Sequence, residues 1–456
     1  MRKAPLAISR RRRAHECARP WKTFQMNTNT TKKAAARPTR RRAPRTVRLG
    51  MIGLGPRGES LVAAAAGLSN VEICAICDVR RDRVEKMLGI LRQSGKPAPK
   101  AYSDAAALIA DPGVEGVLIP TSWNSHLALA AETMSAGKYA AIEVGGASSI
   151  EELWRLVHAA EKTGVSCMML ENCCYGRDEL MVLNMVRQGL FGETVYAEGG
   201  YQHCLAEMGH GVEAGNERAV HNFFRNADLY PTHQLGPIAK TFDVNRGNRF
   251  LSLTSTASRP GGFAADAAAH YGHDGKWGDA RFAMGDVVTT VIKCARGQLI
   301  SLTHCVSLPR PYSRHAVIQG TRGCWDADAG GIYVEGVSRV THPIDAAGNP
   351  YEEHHWDPVD KFRRKYEHPI WRDYLRRGVV GGHGGMDGLV LAAFADAIRE
   401  GRPTPIDVYD VAAWMATTAL SEQSIALGSA PVYYPDFTNG RWMTRGRDTA
   451  SGKYAL

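Results

Sequence analysis

The sequence predicts an α/β chain in two parts. The first is an N-terminal doubly wound parallel sheet, and the second is a C-terminal α+β domain with a large, mainly antiparallel sheet. Three observations carry this. Apolar runs alternate with helical patterns from Val47 to Leu170, the signature of βαβ units. After about residue 171 the runs change to period-two alternation, which marks half-buried antiparallel strands. The chain has 456 residues, enough for two hydrophobic cores. The expected divisions are a basic extension over 1–45, a nucleotide-binding domain over 46–170 and a substrate domain over 171–456.

"VRLGMIGLG" reads as a strand entering a glycine turn, and "RGESLVAAAAGL" as the helix after it. "VEICAICDV" is a second strand ending at Asp78, and "VEGVLIP" a third, followed by the helix "SHLALAAETMSAG". "YAAIEV" and "VSCMML" are the fourth and fifth. Between them, Ser149 and Glu152 form a capping-box pattern, and Gly164 stands at the helix C-terminus. In the second part, "TVYAEGGYQH" is a strand, and "DVVTTVIKCARGQLISLTHCVS" turns at Arg296-Gly297 as a hairpin. "RHAVIQGTRGCWDAD" supplies two more strands. "GGMDGLVLAAFADAIREG" and "YDVAAWMATTALSEQSIALG" are helical.

Charge is unevenly placed. The first 50 residues hold 16 Lys and Arg against a single acid, Glu16, so the rest of the chain carries −5 although the whole carries +10. The basic segment reads as an extension or as translated upstream sequence, not as a nucleic-acid or lipid contact. No apolar stretch follows its basic residues, so a secretory signal is not expected and the cytoplasm is. No run of 18 apolar residues occurs, so no membrane-spanning helix is expected. Ten cysteines are scattered along the chain. Cys74-x-x-Cys77 lies inside an apolar strand and reads as core, and reduced thiols suit a cytoplasmic protein.

Gly53-Leu54-Gly55-Pro56-Arg57-Gly58 matches G-x-G-x-x-G. It follows a strand, opens a helix and has an acid, Asp78, at the end of the next strand. That context makes it a Rossmann dinucleotide fingerprint. The glycines admit a pyrophosphate to the helix N-terminus, and Asp78 would accept from the adenosine ribose hydroxyls. An acid there favours NAD over NADP, although Arg80 and Arg81 follow closely. The carboxyl ends of later strands carry "TSWNSH", "EVGG" and "ENCCYGRD", which makes Trp123, His126, Glu143 and Asn172 candidates for the nicotinamide side.

This order of parts resembles the glucose–fructose oxidoreductase / inositol dehydrogenase / MocA superfamily. Ordinary members carry Glu-Lys-Pro at the fourth strand, with a lysine that assists hydride transfer. Here the residues are Glu143-Val144-Gly145, which argues against a plain sugar dehydrogenase. A narrower resemblance covers residues 46–456. "ENCCYGRD", "GGYQH", "LYPTHQLGP", "DVNRGNR", "RPY", "GGHGGMD", "DVYD" and "PDFTNG" look like glycoside hydrolase family 109, the NAD-dependent α-N-acetylgalactosaminidases.

To the fingerprint glycines Gly53, Gly55 and Gly58 the resemblance adds NAD contacts at Pro56, Arg57, Asp78, Trp123, Asn124, Ser125, His126, Glu143, Val144 and Asn172. It implies sugar contacts at Tyr201, Arg218, Tyr230, Pro231, Thr232, His233 and Tyr312. It also implies that His383, the histidine of "GGHGG", is a general acid/base. Two departures accompany it. Trp123-Asn124-Ser125 replaces an aromatic-acid-aromatic pattern, and the loop from His203 to Arg218 is short.

The chemistry implied is oxidation at C3, loss of the C2 proton, elimination at C1, addition of water and reduction, with NAD recycled. His233 or Tyr230 would take the hydroxyl proton, and Tyr175 or Tyr201 the C2 proton. Histidine titrates near neutrality and could protonate the leaving oxygen and then activate water. Arg218 could hold the acetamido group. The four glycines around His383 read as a flexible hinge. His203 reads as structural, His354-His355 lacks metal-site spacing, and no metal is expected. The competing function is a sugar dehydrogenase or epimerase of the wider superfamily. The partner is a small-molecule or glycan substrate, and the open face of the antiparallel sheet could pair two copies of the chain.

Overall fold

Strand β1 (Val47–Ile52) has five of its six residues buried and runs straight into the glycine turn that opens α1 (Pro56–Ala66). The structure, a computed structural model, describes residues 45–456 except 94, 213–215, 273–279 and 448–451. The basic segment before residue 45 lies outside the described residues. After α1 come β2 (Val71–Cys77), α2 (Arg81–Gln93), β3 (Lys100–Tyr102), α3 (Ala105–Ala110), β4 (Gly116–Ile119), α4 (Trp123–Ser135), β5 (Tyr139–Ile142), α5 (Ile150–Thr163) and β6 (Cys167–Met169). Their strands pair in parallel in the order β3-β2-β1-β4-β5-β6. The strand order reverses beside β1, where ligands of such sheets collect.

Local signals read from the sequence recur here. Ser149 Oγ accepts from the Glu152 amide at 3.2 Å, and Glu152 accepts in return from the Ser149 amide. Gly164 closes α5 in the left-handed region at φ 70°. Cys74 and Cys77 are buried in β2, and burial pushes the Cys77 thiol up to about 11. Lys100–Tyr102 is an edge strand that the sequence did not announce. It has three residues and no apolar run.

Then come α6 (Arg177–Arg187), β7 (Thr194–Gln202), α7 (Glu217–Phe224), α8 (Thr232–Thr241), β8 (Phe250–Ala257), α9 (Gly262–Tyr271), β9 (Val288–Cys294), β10 (Leu299–Cys305), β11 (Val317–Gly320), β12 (Gly323–Asp326) and β13 (Gly331–Val334). The short strands β14 (Val340–Thr341), β15 (Glu353–His354) and β16 (Asp357–Pro358) precede α10 (Asp360–Tyr366), α11 (Pro369–Arg377), α12 (Met386–Glu400), α13 (Val408–Ala426) and β17 (Val432–Tyr433). Among the described residues, the second sheet has nine strands in the order β16-β13-β12-β11-β7-β10-β9-β8-β17. Its pairings are antiparallel except β7 with β10. The Arg296-Gly297 turn joins β9 to β10 with Gly297 at φ 91°.

One continuous apolar core runs through both sheets and includes Trp414 and Phe394 of the last long helices. The segments after β6 and before α12 therefore meet at the carboxyl ends of the parallel strands. Among the described residues no helix is long and apolar enough to cross a membrane.

Candidate active site

The glycine turn has little spare room. Gly53 takes φ 100°, and a Cβ there would lie 3.0 Å from Thr121 Cγ2. A Cβ on Gly58 would stand 2.2 Å from the Gly53 carbonyl oxygen. Helix α1 packs that tightly under the turn only without a side chain at Gly58. Above the turn lies a cavity of about 380 Å³, lined by Gly53, Gly55, Asp78, Arg83, Thr121 and Ser125 among others. Asp78 is buried, accepts from the Leu54 amide at 2.7 Å and from the Arg80 amide at 2.8 Å, and stands 3.5 Å from Arg83. Arg80 and Arg81 turn instead to Asp82 and Glu85. A glycine cradle, a helix N-terminus and a fixed acid at the strand end fit an adenine dinucleotide.

Arg57 connects this cradle to the second domain. Its Nε donates to Glu143 Oε1 at 2.7 Å, while Nη1 and Nη2 grip the Asp387 carboxylate at 3.0 and 3.1 Å. Asp387 is fully buried and accepts two further bonds, from Asn172 Nδ2 and from His383 Nδ1, each at 2.8 Å. Burial raises its proton affinity, but His383 and Arg57 outweigh this and hold the carboxyl well below the usual range. Glu143 moves the other way: burial raises it, and Arg57 with the Val144 amide offsets part of the rise.

The same chain of contacts continues to the second histidine. Asn172 Oδ1 faces Cys173 Sγ at 3.5 Å, and that sulfur lies 3.5 Å from His233 Nδ1. His233 Nδ1 donates to Glu171 Oε1 at 2.8 Å. His233 and His383 thus stand at the two ends of one polar network. Burial lowers the proton affinity of His233, but Cys173 and Glu171 more than reverse this and hold it well above its ordinary value. Around His233 stand Tyr230 (ring centroids 4.9 Å apart) and Tyr201 (5.7 Å). Tyr201 also meets Tyr230 at 4.7 Å and Tyr312 at 6.1 Å.

Arg218 is half-buried, 4.2 Å over the Tyr230 ring and 5.8 Å from Trp123. Among the described residues no carboxylate pairs with it. Trp123 stacks near Tyr230 at 5.8 Å and His221 at 5.1 Å. Glu217 of α7 caps α4 by accepting from the Trp123 and Asn124 amides at 2.8 and 3.0 Å. The aromatic wall and the cradle are thereby tied together.

Of the sequence candidates, Gly53, Gly55, Pro56, Gly58, Asp78 and Ser125 gather at the cradle. Arg57, Glu143 and Asn172 join the network beside it, with Val144 at the adjoining strand end. Tyr201, Arg218, Tyr230, His233 and Tyr312 line the aromatic side. Asn124 is exposed at the start of α4.

Three expectations need correction. Tyr175 is 0% exposed, and its hydroxyl donates to the Tyr454 carbonyl at 3.1 Å. Burial pushes that phenol well above its ordinary range, so it is core and not a base. His126 is fully enclosed, neither ring nitrogen has a hydrogen-bond partner among the described residues, and burial pulls it down to about 4. Thr232, at the start of α8, is also fully enclosed, and buried Pro231 before it sets the turn into that helix.

The hinge reading of GGHGG is replaced as well. Gly381, His383, Gly384 and Gly385 all take positive φ, from 50° to 98°. A Cβ on Gly385 would lie 2.3 Å from Val379 Cγ1, and one on Gly388 would lie 2.3 Å from the Val380 carbonyl oxygen. Tyr374 Oη accepts from the Val380 amide at 3.0 Å and donates to the Gly385 carbonyl at 3.1 Å. Gly381, Gly382 and Gly385 sit against neighbouring atoms in this turn, while Gly384 stands open.

Sequence reasoning passed over Asp387, Glu171 and Glu217. Asp387 stood four residues after His383, the spacing that puts two side chains on one face. Glu171 stood beside Asn172. Glu217 gave no signal, since its role depends on α7 meeting α4.

Comparison with known proteins agrees with this geometry. Residues 47–171 match the oxidoreductase family with an NAD-binding Rossmann fold, and residues 175–444 match the glycosyl hydrolase 109 C-terminal domain. The chain is 39% identical over 423 residues to an alpha-N-acetylgalactosaminidase of Tannerella forsythia, covering 88% of each. It is 39% identical to an alpha-N-acetylgalactosaminidase of Shewanella oneidensis, covering 87% of this chain and 86% of that one. Among solved structures, the scyllo-inositol dehydrogenase of Lactobacillus casei with bound NAD(H) and scyllo-inositol shares the fold at a TM-score of 0.57 and 12% identity. That match covers 85% of this chain and 99% of the other.

Proposed function

From the premise that this chain belongs to glycosyl hydrolase family 109, we propose that it is an NAD-dependent glycosidase that releases terminal α-linked N-acetylgalactosamine from a glycan or small glycoside. One observation carries the redox reading over conventional glycoside hydrolysis, which needs a pair of free carboxyl groups flanking the bond. The three buried carboxylates of the site are already engaged: Glu143 by Arg57, Asp387 by Arg57, His383 and Asn172, and Glu171 by His233. NAD, when bound, supplies a reversible hydride acceptor that allows the C2 proton to be acidified.

The chain's own groups supply the proton transfers. Glu171 fixes Nδ1 of His233 and turns Nε2 outward, so Nε2 is the atom to take the C3 hydroxyl proton. With Tyr175 in the core, Tyr201 is the remaining tyrosine candidate for the C2 proton. The Arg218 guanidinium hydrogen-bonds to it. Arg218 also offers donors to an acetamido or hydroxyl oxygen. Asp387 fixes His383 through Nδ1 and leaves Nε2 for the glycosidic oxygen, first as acid and then as base toward water. The aromatic wall of Tyr201, Tyr230 and Tyr312 suits the apolar face of a pyranose. The open face of the nine-stranded sheet, with Val291, Leu299 and Tyr433 exposed, is where a second copy would sit. Light scattering of the purified chain reads this directly.

The test is release of chromophore from paired α- and β-linked aryl N-acetylgalactosaminides in D₂O. Expected are α-selective hydrolysis, deuterium at C2 of the product and no net NADH. Hydrolysis without C2 exchange would sink the redox route. Steady NADH accumulation with free sugars would establish the sugar dehydrogenase instead. Val144, where that lysine would stand, makes the latter the poorer fit.

A further inference from the structure

The geometry points to a thiophilic metal site built from Glu171, Cys173 and His233, at which Zn²⁺ binds and shuts down the histidine. Glu171 Oε1, Cys173 Sγ and a His233 ring nitrogen all lie within 4.8 Å of one another. Zinc–sulfur and zinc–nitrogen bonds of about 2.3 and 2.0 Å, set at a tetrahedral angle, place the two ligand atoms about 3.5 Å apart. Cys173 Sγ and His233 Nδ1 are 3.5 Å apart. The same construction puts oxygen and nitrogen about 3.4 Å apart, against 2.8 Å from Glu171 Oε1 to His233 Nδ1. The carboxylate must therefore retreat slightly or present its other oxygen. That other oxygen is the second observation: Glu171 Oε2 is buried and, among the described residues, has no partner in full hydrogen-bonding geometry, with the Thr232 hydroxyl the neighbour that acts on the carboxylate.

The donor set of one thiolate, one imidazole and one carboxylate selects zinc or cadmium and disfavours Mg²⁺ or Ca²⁺, which take oxygen ligands. Glu171 and Cys173 are enclosed and His233 is half-buried, so an ion enters past the imidazole ring. A fourth, open position would hold water. Binding displaces the proton of the Cys173 thiol and takes the Nδ1 lone pair, so the one proton of the neutral ring moves from Nδ1 to Nε2. Nε2 is the atom that must be free to accept a hydroxyl proton.

Metal binding does not depend on the proposed function; only the inhibition does, and the experiment separates them. NAD-loaded full-length protein is titrated with CdCl₂ in thiol-free buffer, followed by thiolate-to-cadmium absorption in the ultraviolet, and with ZnCl₂ by calorimetry. One equivalent of each is expected, reversed by EDTA. Cys173→Ala should abolish the absorption band and weaken zinc by about 100-fold or more, since even outer-shell changes at zinc sites cost about 10–100-fold. Cys204→Ala, which removes a thiol exposed among the described residues, should leave both unchanged. If Cys173→Ala does not fold, Cys173→Ser and His233→Gln are read the same way. No cadmium band in the parent protein, or one that survives in the Cys173 and His233 variants, overturns the site. A band with full glycosidase activity retained would keep the metal site and overturn the role given to His233.

Discussion

Asp387→Asn removes one charge and little volume from the centre of the network. The carboxylate accepts from His383 Nδ1 and Asn172 Nδ2 at 2.8 Å and from two Arg57 nitrogens at 3.0 and 3.1 Å. Every partner is a donor, so an amide placed there must turn its own NH₂ toward one of them. Breaking a buried ion pair from one side costs about 3–5 kcal/mol. Arg57 keeps Glu143 and is a quarter exposed, so the expected loss of stability is about 2–3 kcal/mol. Loss of a carboxylate that fixes a general-base histidine costs up to about 10⁴ in rate. The His383 side chain is 58% exposed and water partly replaces its partner, so kcat should fall by about 10²-fold with KM nearly unchanged. The assay is aryl α-N-acetylgalactosaminide hydrolysis at saturating NAD, with urea unfolding and an NAD fluorescence titration beside it. His383→Ala and the double variant complete a cycle, and the two losses should not add. A folded, NAD-loaded Asp387→Asn enzyme within twofold of the parent kcat would refute the role given to Asp387. Additive losses would refute its action through His383.

Gly58→Ala puts a Cβ 2.2 Å from the Gly53 oxygen, so the turn must open; NAD affinity should fall by about 10-fold or more, read by fluorescence titration, with far-UV dichroism unchanged. Asp228 is buried with Oδ2 unpartnered, and burial pushes it from the usual 3.8 to about 7. It favours the fold below the unfolded value and withdraws that support as pH rises from about 4 to 7, so Asp228→Asn should stabilise by up to about 4 kcal/mol at pH 8 and by nothing at pH 4, read by urea midpoints. His304 is buried, and burial with the Arg218 charge behind it pulls it down to about 3. It stays neutral in the fold while the unfolded chain takes up a proton below 6.5, so stability should fall as pH drops from 6.5 toward 3, and His304→Gln should lessen that fall.

The fold was legible because its signals are local. A glycine turn after a buried strand, a capping box at Ser149 and an Arg-Gly turn each depend on neighbours in sequence. The short strand Lys100–Tyr102 escaped because it is held by one neighbour strand and carries no pattern of its own. For the site the limit was different. Residue types in motifs pointed to the right region, and the distant partners did not show. Nothing in "ENCCYGRD" tells that Glu171 meets a histidine 62 residues on, or that Asn172 meets Asp387, 215 residues away. Tyr175 and His126 were misplaced for the complementary reason: a tyrosine or histidine inside a motif looks the same whether it faces a cavity or the core.

Charge is what separates this arrangement from its superfamily's lysine-bearing form. With Val144 where that lysine would stand, the site's basic groups are Arg57, Arg218 and the two held histidines. Arg57 is matched by Glu143 and Asp387. His233 and His383 are each matched by a carboxylate. Arg218, half-buried over the Tyr230 ring, has no carboxylate partner among the described residues and hydrogen-bonds to Tyr201 and Tyr230 instead. The negative charge that develops on the sugar when its C2 proton leaves is of the right sign and would form beside Tyr201. The place of Arg218 beside Tyr201 and Tyr230 fits a chain that carries the sugar past oxidation to elimination.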